Sequence, residues 1–476
     1  MKKFRLVALG AAVLWFTGCA SPGPPASVAA KAPPQWYAPL PHNGTVAGLT
    51  GWWQQFNDPL LVELIDAAQI ASPSVASAAA RIEQARATRV AAGAALLPTL
   101  DAVGSASRGN SQPPLPLATT LQAGLQSAWE IDLFGANRAA AGAAQARLEG
   151  AAALWHEARV SVAAETATSY MNLRTCERQL AVAVDDARSR AETARLSDLS
   201  ARAGFTAPAT AALARASAAE ASARTTQQRA QCDVEVKTLV ALTALAEPLL
   251  RLKLTAPWSE PSAVPAVASV PAQVLAQRPD IYQAEREVAA ASADVGSARA
   301  QRFPRLSLSG SIGAGMLRAG GVSTDLQTWA IGPLAVTLPI FDGGRRAANV
   351  DAAQARYEEA AALYVAKVRQ AVREVEEALV NLESARARGE DAVVAAQGYR
   401  TSFTATQARY QSGLASLVEL EDARRTLFAA ESALVALQRE RAQAWIALYR
   451  AMGGGWQRSE AAPVAASSTS GRPAAQ

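Results

Sequence analysis

The 476-residue chain is half apolar, but alanine supplies much of that half and large aliphatic side chains are sparse. Alanine favours helix while offering little area to bury, which suits closely packed helices better than a thick globular core. The net charge of +5 includes Lys2, Lys3 and Arg5, leaving 5 − 3 = +2 for the remainder, so no basic face for nucleic acid is indicated. The two histidines, His42 and His156, have nothing near them at metal-ligand spacing, and no metal or cofactor is expected.

At the N-terminus, Met1–Arg5 is positively charged, Leu6–Phe16 is an apolar core too short for a permanent span, and Thr17-Gly18-Cys19 closes it. A small residue before a cysteine at that place resembles the bacterial lipobox, in which Cys19 becomes the lipidated first residue. Phe16 departs from the leucine usual there, and the alternative is an ordinary signal peptide with an incidental cysteine. Ala20 and Ser21 follow, not the aspartate that resembles an inner-membrane retention signal, so export to the outer membrane is expected. After Cys19 no run of about 20 uninterrupted apolar residues occurs, so any membrane crossing must use β-strands.

A Pro-, Ala- and Ser-rich tether leads to GWWQQFNDPLLVELIDAAQ (51–69), with apolar residues at helical spacing from Leu60. A helix is expected from about Ser74 to Leu96, ended by Pro98. The texture then changes. Leu121, Ala123, Leu125, Ser127, Trp129 and Ile131 alternate with Gln122, Gly124, Gln126, Ala128, Glu130 and Asp132, which is the period of a strand with one apolar and one polar face. Strands are expected at about 100–108 and 118–132, around a Pro-rich loop. From about Asn137 to Ala203 no proline interrupts, and a helix of that length would extend about 100 Å. A shorter helix, about 208–242, returns antiparallel beyond Gly204.

The second half repeats the first. AAQARLEGAAALW (143–155) recurs as AAQARYEEAAALY (352–364), an offset of 352 − 143 = 209. Pro98 in LLPTL has its counterpart in Pro304 of RFPRL, and Gly204 in ARAGF has its counterpart in Gly413 of YQSGL. Leu306, Leu308, Gly310 and Ile312 alternate with Ser307, Ser309 and Ser311, giving strands at about 305–314 and 326–340 around a Gly-rich loop, 315–325. A second proline-free helix, about 346–412, and a return helix, about 416–451, follow. The chain thus divides into a signal peptide (1–18), a lipidated tether (19–50), a first repeat (51–247), a linker (248–274), a second repeat (275–456) and a tail read as disordered (457–476). Strands of about ten residues match tilted membrane spans. A soluble sandwich with one wet face is the alternative, which two hairpins separated by a long helical stretch argue against. Four strands cannot close a barrel, and membrane barrels use at least about eight, so strands must come from further copies; three copies would supply twelve.

Cys176 lies 28 residues before Gly204 and Cys232 lies 28 after it. In an antiparallel helix pair turning at Gly204 they fall side by side, and in an oxidising compartment such a pair forms a disulfide; the alternative is two buried thiols.

Strand pairs feeding very long helices, duplicated once on an exported chain, resemble the TolC-like outer-membrane efflux factors, specifically their NodT-type lipoprotein branch. The resembling strings are WWQQFNDP (52–59), SAWEIDLFGANR (127–138), LAQRPDI (275–281), FPRLSLSGSIG (303–313), LPIFDGGR (338–345) and ALYRAMGGGW (447–456). The resemblance implies an α+β membrane protein: four strands per chain in a trimeric twelve-stranded outer-membrane barrel, with long α-helices forming a periplasmic tunnel. It also implies passive conduction of small molecules handed over by a periplasmic adaptor and an inner-membrane pump, often of the resistance-nodulation-division type.

By the same resemblance, SGLASLVELEDARR (412–425) holds the periplasmic gate: Asp422 and Arg425 match its acid and base, Val418 a constricting apolar ring, and Glu419 another acidic position. Val418, Asp422 and Arg425 stand at i, i+4 and i+7, one stripe of a helix; the alternative is an ordinary exposed ion pair. Ala415 replaces a basic gate residue of some relatives, and Thr210 replaces an acid that elsewhere reaches the tyrosine matched by Tyr410. The turns around Gly204, Phe205 and Thr206, and around Gly413, Leu414, Ala415 and Ser416, match the tips that adaptors grip. No convergent set of nucleophilic or ionisable groups suggests an enzyme. A type I protein secretion duct and a structural coiled-coil lipoprotein are the rival functions.

Overall fold

The computed structural model describes residues 23–38, 52–110, 117–256, 258 and 271–456. The signal peptide with Cys19 and the tail 457–476 lie outside the described residues. The helices are α1 (Pro59–Ala71), α2 (Pro73–Ala94), α3 (Ala136–Arg202), α4 (Pro208–Thr243), α5 (Glu247–Leu254), α6 (Pro271–Ala276), α7 (Pro279–Ala300), α8 (Arg345–Gln411) and α9 (Leu417–Ala451). The strands are β1 (Thr99–Gly109), β2 (Ala118–Ile131), β3 (Arg305–Ala319) and β4 (Val322–Thr337). Prolines open α1, α4 and α5 near the first helical position, where the missing N–H costs nothing. Two compact units emerge among the described residues, one within 23–31, 77–155 and 281–367, the other within 32–76, 156–280 and 368–456.

The first unit carries one antiparallel sheet in the order β1-β2-β3-β4. Its register aligns Ala102, Leu125, Ile312 and Trp329 in one row across the strands, and Val103, Gly124, Gly313 and Thr328 in the next. Because successive residues point to opposite faces, one face is apolar, and Leu125, Ile312 and Trp329 on it are exposed. On the other face glycine is required where β2 and β3 approach. A Cβ on Gly124 would stand 2.5 Å from the Ile312 carbonyl oxygen. Alanines make the helix contacts here narrow: Ala143 and Ala146 of α3 bury against Ala290 of α7.

The second unit has the larger core, with Trp52, Leu61, Leu64, Tyr170, Leu239, Leu250, Leu379 and Leu448 almost wholly buried. Asp58 caps α1 through the Leu60 and Leu61 amides at 3.1 and 3.2 Å, and its second oxygen accepts a 2.6 Å bond from the Tyr170 hydroxyl. Arg174 Nε donates in turn to that hydroxyl at 3.0 Å. Burial, with the hydrogen bond to Asp58, raises the Tyr170 pKa and keeps the phenol protonated. Arg278 is buried between Asp280 at 2.9 Å and Glu374 at 2.8 Å and donates to the Ala451 carbonyl at 2.8 Å. Burial pulls its pKa down, but the two acids outweigh it and the guanidinium stays charged.

Three sequence expectations are corrected. The loop expected at 315–325 is strand on both sides of a Gly320–Gly321 turn, and both glycines have positive φ, which spares the hairpin a steric cost. Strand β4 stops at Thr337, not near residue 340. The linker expected at 248–274 contains α5 and α6, and Leu250 and Leu254 of α5 belong to the core. Two residues at the end of the described tether, Trp36 and Ala38, are buried, and the Tyr37 and Ala38 amides donate to the two carboxylate oxygens of Glu376 at 2.7 and 2.8 Å.

Candidate functional site

The candidate site is built at two helix turns of the second unit. Helix α3 ends with Gly204 at φ 77° and α8 with Gly413 at φ 73°. Each turn closes with the same pair of bonds. Phe205 N donates to Ser200 O at 2.9 Å and Gly204 N to Ala201 O at 3.1 Å; Leu414 N donates to Arg409 O at 2.8 Å and Gly413 N to Tyr410 O at 3.0 Å. A left-handed residue just past the last turn satisfies carbonyls that would otherwise be orphaned, and glycine adopts that conformation without cost. Phe205 and Leu414 project from equivalent places and are 87% and 71% exposed.

The return helices begin differently. Helix α4 has no side-chain cap at Ala207, only Pro208 behind it. Helix α9 starts with a capping box: Glu419 N donates to Ser416 Oγ at 3.2 Å, and Ser416 N donates to Glu419 Oε2 at 2.7 Å. The Ser416 amide, first among its causes, holds the Glu419 carboxyl below the usual glutamate range. Glu419 is therefore committed to starting its own helix.

Beyond the cap, α9 shows two faces. Val418, Asp422 and Arg425 lie exposed on one, with Arg425 paired to Asp422. Leu417, Leu420 and Arg424 lie buried on the other. Arg424 binds Glu421 and donates to Ser189 Oγ at 3.1 Å and Thr193 Oγ1 at 2.9 Å on α3. Glu421 also binds Arg190 and accepts from Ser217 Oγ at 2.9 Å, while Arg190 clasps Asp186 through two 3.0 Å bonds and Arg224 reaches the same acid at 3.2 Å. Helices α3, α4 and α9 are thus tied by one charged cluster. Burial lowers the Arg424 pKa despite Glu421, and its Nε has no hydrogen-bond partner. The Tyr410 hydroxyl, whose acid partner in other members is replaced here by Thr210, lies 3.3 Å from Ser197 Oγ. Farther along the first hairpin, Cys176 and Cys232 are joined by a disulfide with Cα atoms 5.5 Å apart.

The pattern that describes outer membrane efflux proteins matches residues 64–245 and 270–454. The chain belongs to this family. It is 29% identical to the pyoverdine export outer membrane protein OpmQ of Pseudomonas aeruginosa, over 96% of this chain and 98% of that one. It is 30% identical to nodulation protein T of Rhizobium leguminosarum bv. viciae, over 92% and 91% of the two chains. The outer-membrane channel OprN superposes with a TM-score of 0.83 at 28% identity, covering 92% of this chain and 100% of that one. The Campylobacter jejuni CmeC outer membrane channel gives 0.79 at 26%, covering 91% and 96%. Membership of the outer membrane efflux family makes the chain a transport component and not an enzyme.

Sequence reading found the exposed stripe and missed the buried cluster of Asp186, Arg190, Glu421 and Arg424. A signal for it exists. Leu417, Leu420 and Arg424 are spaced i, i+3 and i+7, so an arginine interrupts an apolar helical stripe. A buried arginine needs an acid beside it, and Glu421 precedes it by three residues.

Proposed function

We propose that this chain is the outer-membrane channel of a tripartite export system for small molecules. One observation carries the reading: a four-stranded sheet with an apolar outer face and two open edges, in a chain of the outer membrane efflux family. Unsatisfied strand edges are not tolerated in lipid, and four strands are too few to close. Three copies would form a twelve-stranded barrel, lined by Gln122, Gln126 and Ser311 on its polar face. Acylation at Cys19 would anchor each copy in the same membrane.

Conduction is passive in this reading. An inner-membrane pump of the resistance-nodulation-division type supplies the energy, and a periplasmic adaptor seats on the helix tips at Gly204, Phe205 and Thr206 and at Gly413, Leu414, Ala415 and Ser416. The exposed stripe of Val418, Asp422 and Arg425 narrows the tunnel where copies converge: acids are brought close together, and arginines bridge them with charge-assisted bonds. Glu419 supports that stripe through the capping box. Relatives named for pyoverdine export and for toluene efflux favour small-molecule cargo. Purified protein should weigh as three chains and give discrete conductance steps in planar bilayers. A monomeric mass without steps would overturn the proposal.

A further inference from the structure

The sheet of the first unit meets its helices at one end only. Thr99, Ile131, Arg305 and Thr337, where the strands join α2, α3, α7 and α8, all lie at that end, and the hairpin connections 110–117 and 320–321 lie at the other. The last row on the apolar face, beside the hairpin connections, is Arg108, Thr119, Arg318 and Ser323. Arg108 and Arg318 are exposed, and they are the only cations on that face among the described residues of the four strands. Neither forms an ion pair with a described residue. The hairpin connections 110–117 and 320–321 contain no charged residue. The one acid on the face, Asp325, stands a row nearer the helices, opposite Met316.

Trp129 lies on the same face, 129 − 119 = 10 residues along β2 from Thr119, and its indole Nε1 donates to the Leu96 carbonyl at 3.0 Å. At about 3.4 Å per residue and a tilt of about 40°, the arginine row stands about 26 Å from Trp129 along a barrel axis. The apolar band of a membrane barrel is about 25 Å tall. With the Trp129 ring at one interface, where such amphipathic rings settle, the arginine row falls at the opposite interface, on the far side from the helices.

We propose that Arg108 and Arg318 bind the phosphate groups of an anionic lipid in the outer leaflet. The proposal rests on the barrel of the preceding section and adds a lipid site to its outer wall. The two arginines are two strands apart, about 9–10 Å between backbones, so their long side chains can converge on one phosphorylated headgroup. Each guanidinium presents a planar fork of donors that matches phosphate oxygens. Thr119 between them and Ser323 beside Arg318 add hydroxyl donors. An arginine on a lipid-facing wall costs little near an interface, so position alone would tolerate both. What points to a ligand is two cations in one row, flanked by hydroxyls and without an acid in that row.

Native mass spectrometry of the full-length protein in a neutral detergent tests the site, with diphosphorylated lipid A as the probe. Unmodified protein should retain the lipid, and Arg108→Gln/Arg318→Gln should weaken retention by about tenfold, the loss of two charge-assisted contacts. Arg305→Gln, on the opposite face at the other end of β3, should leave it unchanged, and Asp325→Asn should strengthen it. Monophosphorylated lipid A should bind several-fold more weakly, and inorganic phosphate should not displace the lipid. Should the double glutamine variant fail to assemble, Arg108→Lys/Arg318→Lys keeps the charge, loses the fork and should still bind several-fold more weakly. Equal retention by the unmodified protein and the arginine variants would overturn the site, and displacement by inorganic phosphate would overturn its assignment to lipid. Either result in a protein that still weighs as three chains and conducts leaves the barrel standing. A monomer without conductance steps would instead sink the barrel reading on which the site depends.

Discussion

The two helix turns of this chain, at Gly204 and Gly413, share a backbone and differ in almost everything attached to it. Both end a 67-residue helix on a left-handed glycine and project one apolar side chain. After Gly204 the chain reads FTAPATAALAR, small and neutral; after Gly413 it reads LASLVELEDARR, charged. The first hairpin is tied by the Cys176–Cys232 disulfide, whose counterpart positions in the second are Ala385 and Arg441. The second is tied to the first by the cluster around Arg424 and Glu421. Duplication kept the geometry that reverses the chain, while divergence placed a charged stripe on one face of α9 and a charged cluster beneath it.

The contrast can be broken at either end. Arg424→Ala strips Glu421 of a buried partner and should cost about 3–5 kcal/mol of local stability, read as lost hydrogen-exchange protection in the first turns of α9. Replacing Glu421 and Arg424 together by leucine should restore most of that protection, since no half of the pair is then left buried alone. Removing the disulfide with Cys176→Ser/Cys232→Ser should cost about 2–4 kcal/mol, because the bridge closes a loop of 56 residues. That loss should appear in α4 and spare α9. Ser416→Ala should cost about 1 kcal/mol at the start of α9. The uncapped first turn has no equivalent to lose. Arg215, the exposed counterpart of Arg424 at 424 − 209, should change stability by less than about 0.5 kcal/mol when made alanine.

The capping box also gives a pH signature. The Glu419 carboxyl is held below its ordinary range by Ser416, so its contribution is complete above the usual glutamate pKa of about 4.3 and is lost as pH falls through the lowered value. Exchange at the Ser416 amide should accelerate over that acid window, and Glu419→Gln should make it much less pH-dependent. No matching window is expected at Ala207.

Much of the architecture was legible in the sequence because it repeats and because strand and helix have different periods. The alternation around Leu121–Ile131 and Leu306–Ile312 located the sheet, and freedom from proline located α3 and α8. The linker reading passed over α5, EPLLRLKL, because two turns are too short to show a period, and its Leu250 and Leu254 reach the core only through long-range packing. The strings that carried the family resemblance turn out to be structural. Trp52, Trp53 and Asp58 build the core around Tyr170, Arg278 joins Asp280 to the end of α9, and Gly453 lies where a Cβ would be 2.2 Å from the Gln277 carbonyl oxygen. The tip was only half legible. An exposed stripe can be read from spacing along one helix, whereas the Arg190–Glu421 contact joins residues 231 apart and has no local trace.

Single-channel conductance tests the central claim, that divergence after the second turn made the gate. Asp422→Ala/Arg425→Ala should raise the conductance of the purified channel in planar bilayers, while Leu213→Ala, at the position equivalent to Asp422 in the first hairpin, should leave it unchanged. Equal conductance for all three proteins would contradict the assignment and remove Asp422 and Arg425 from the gate.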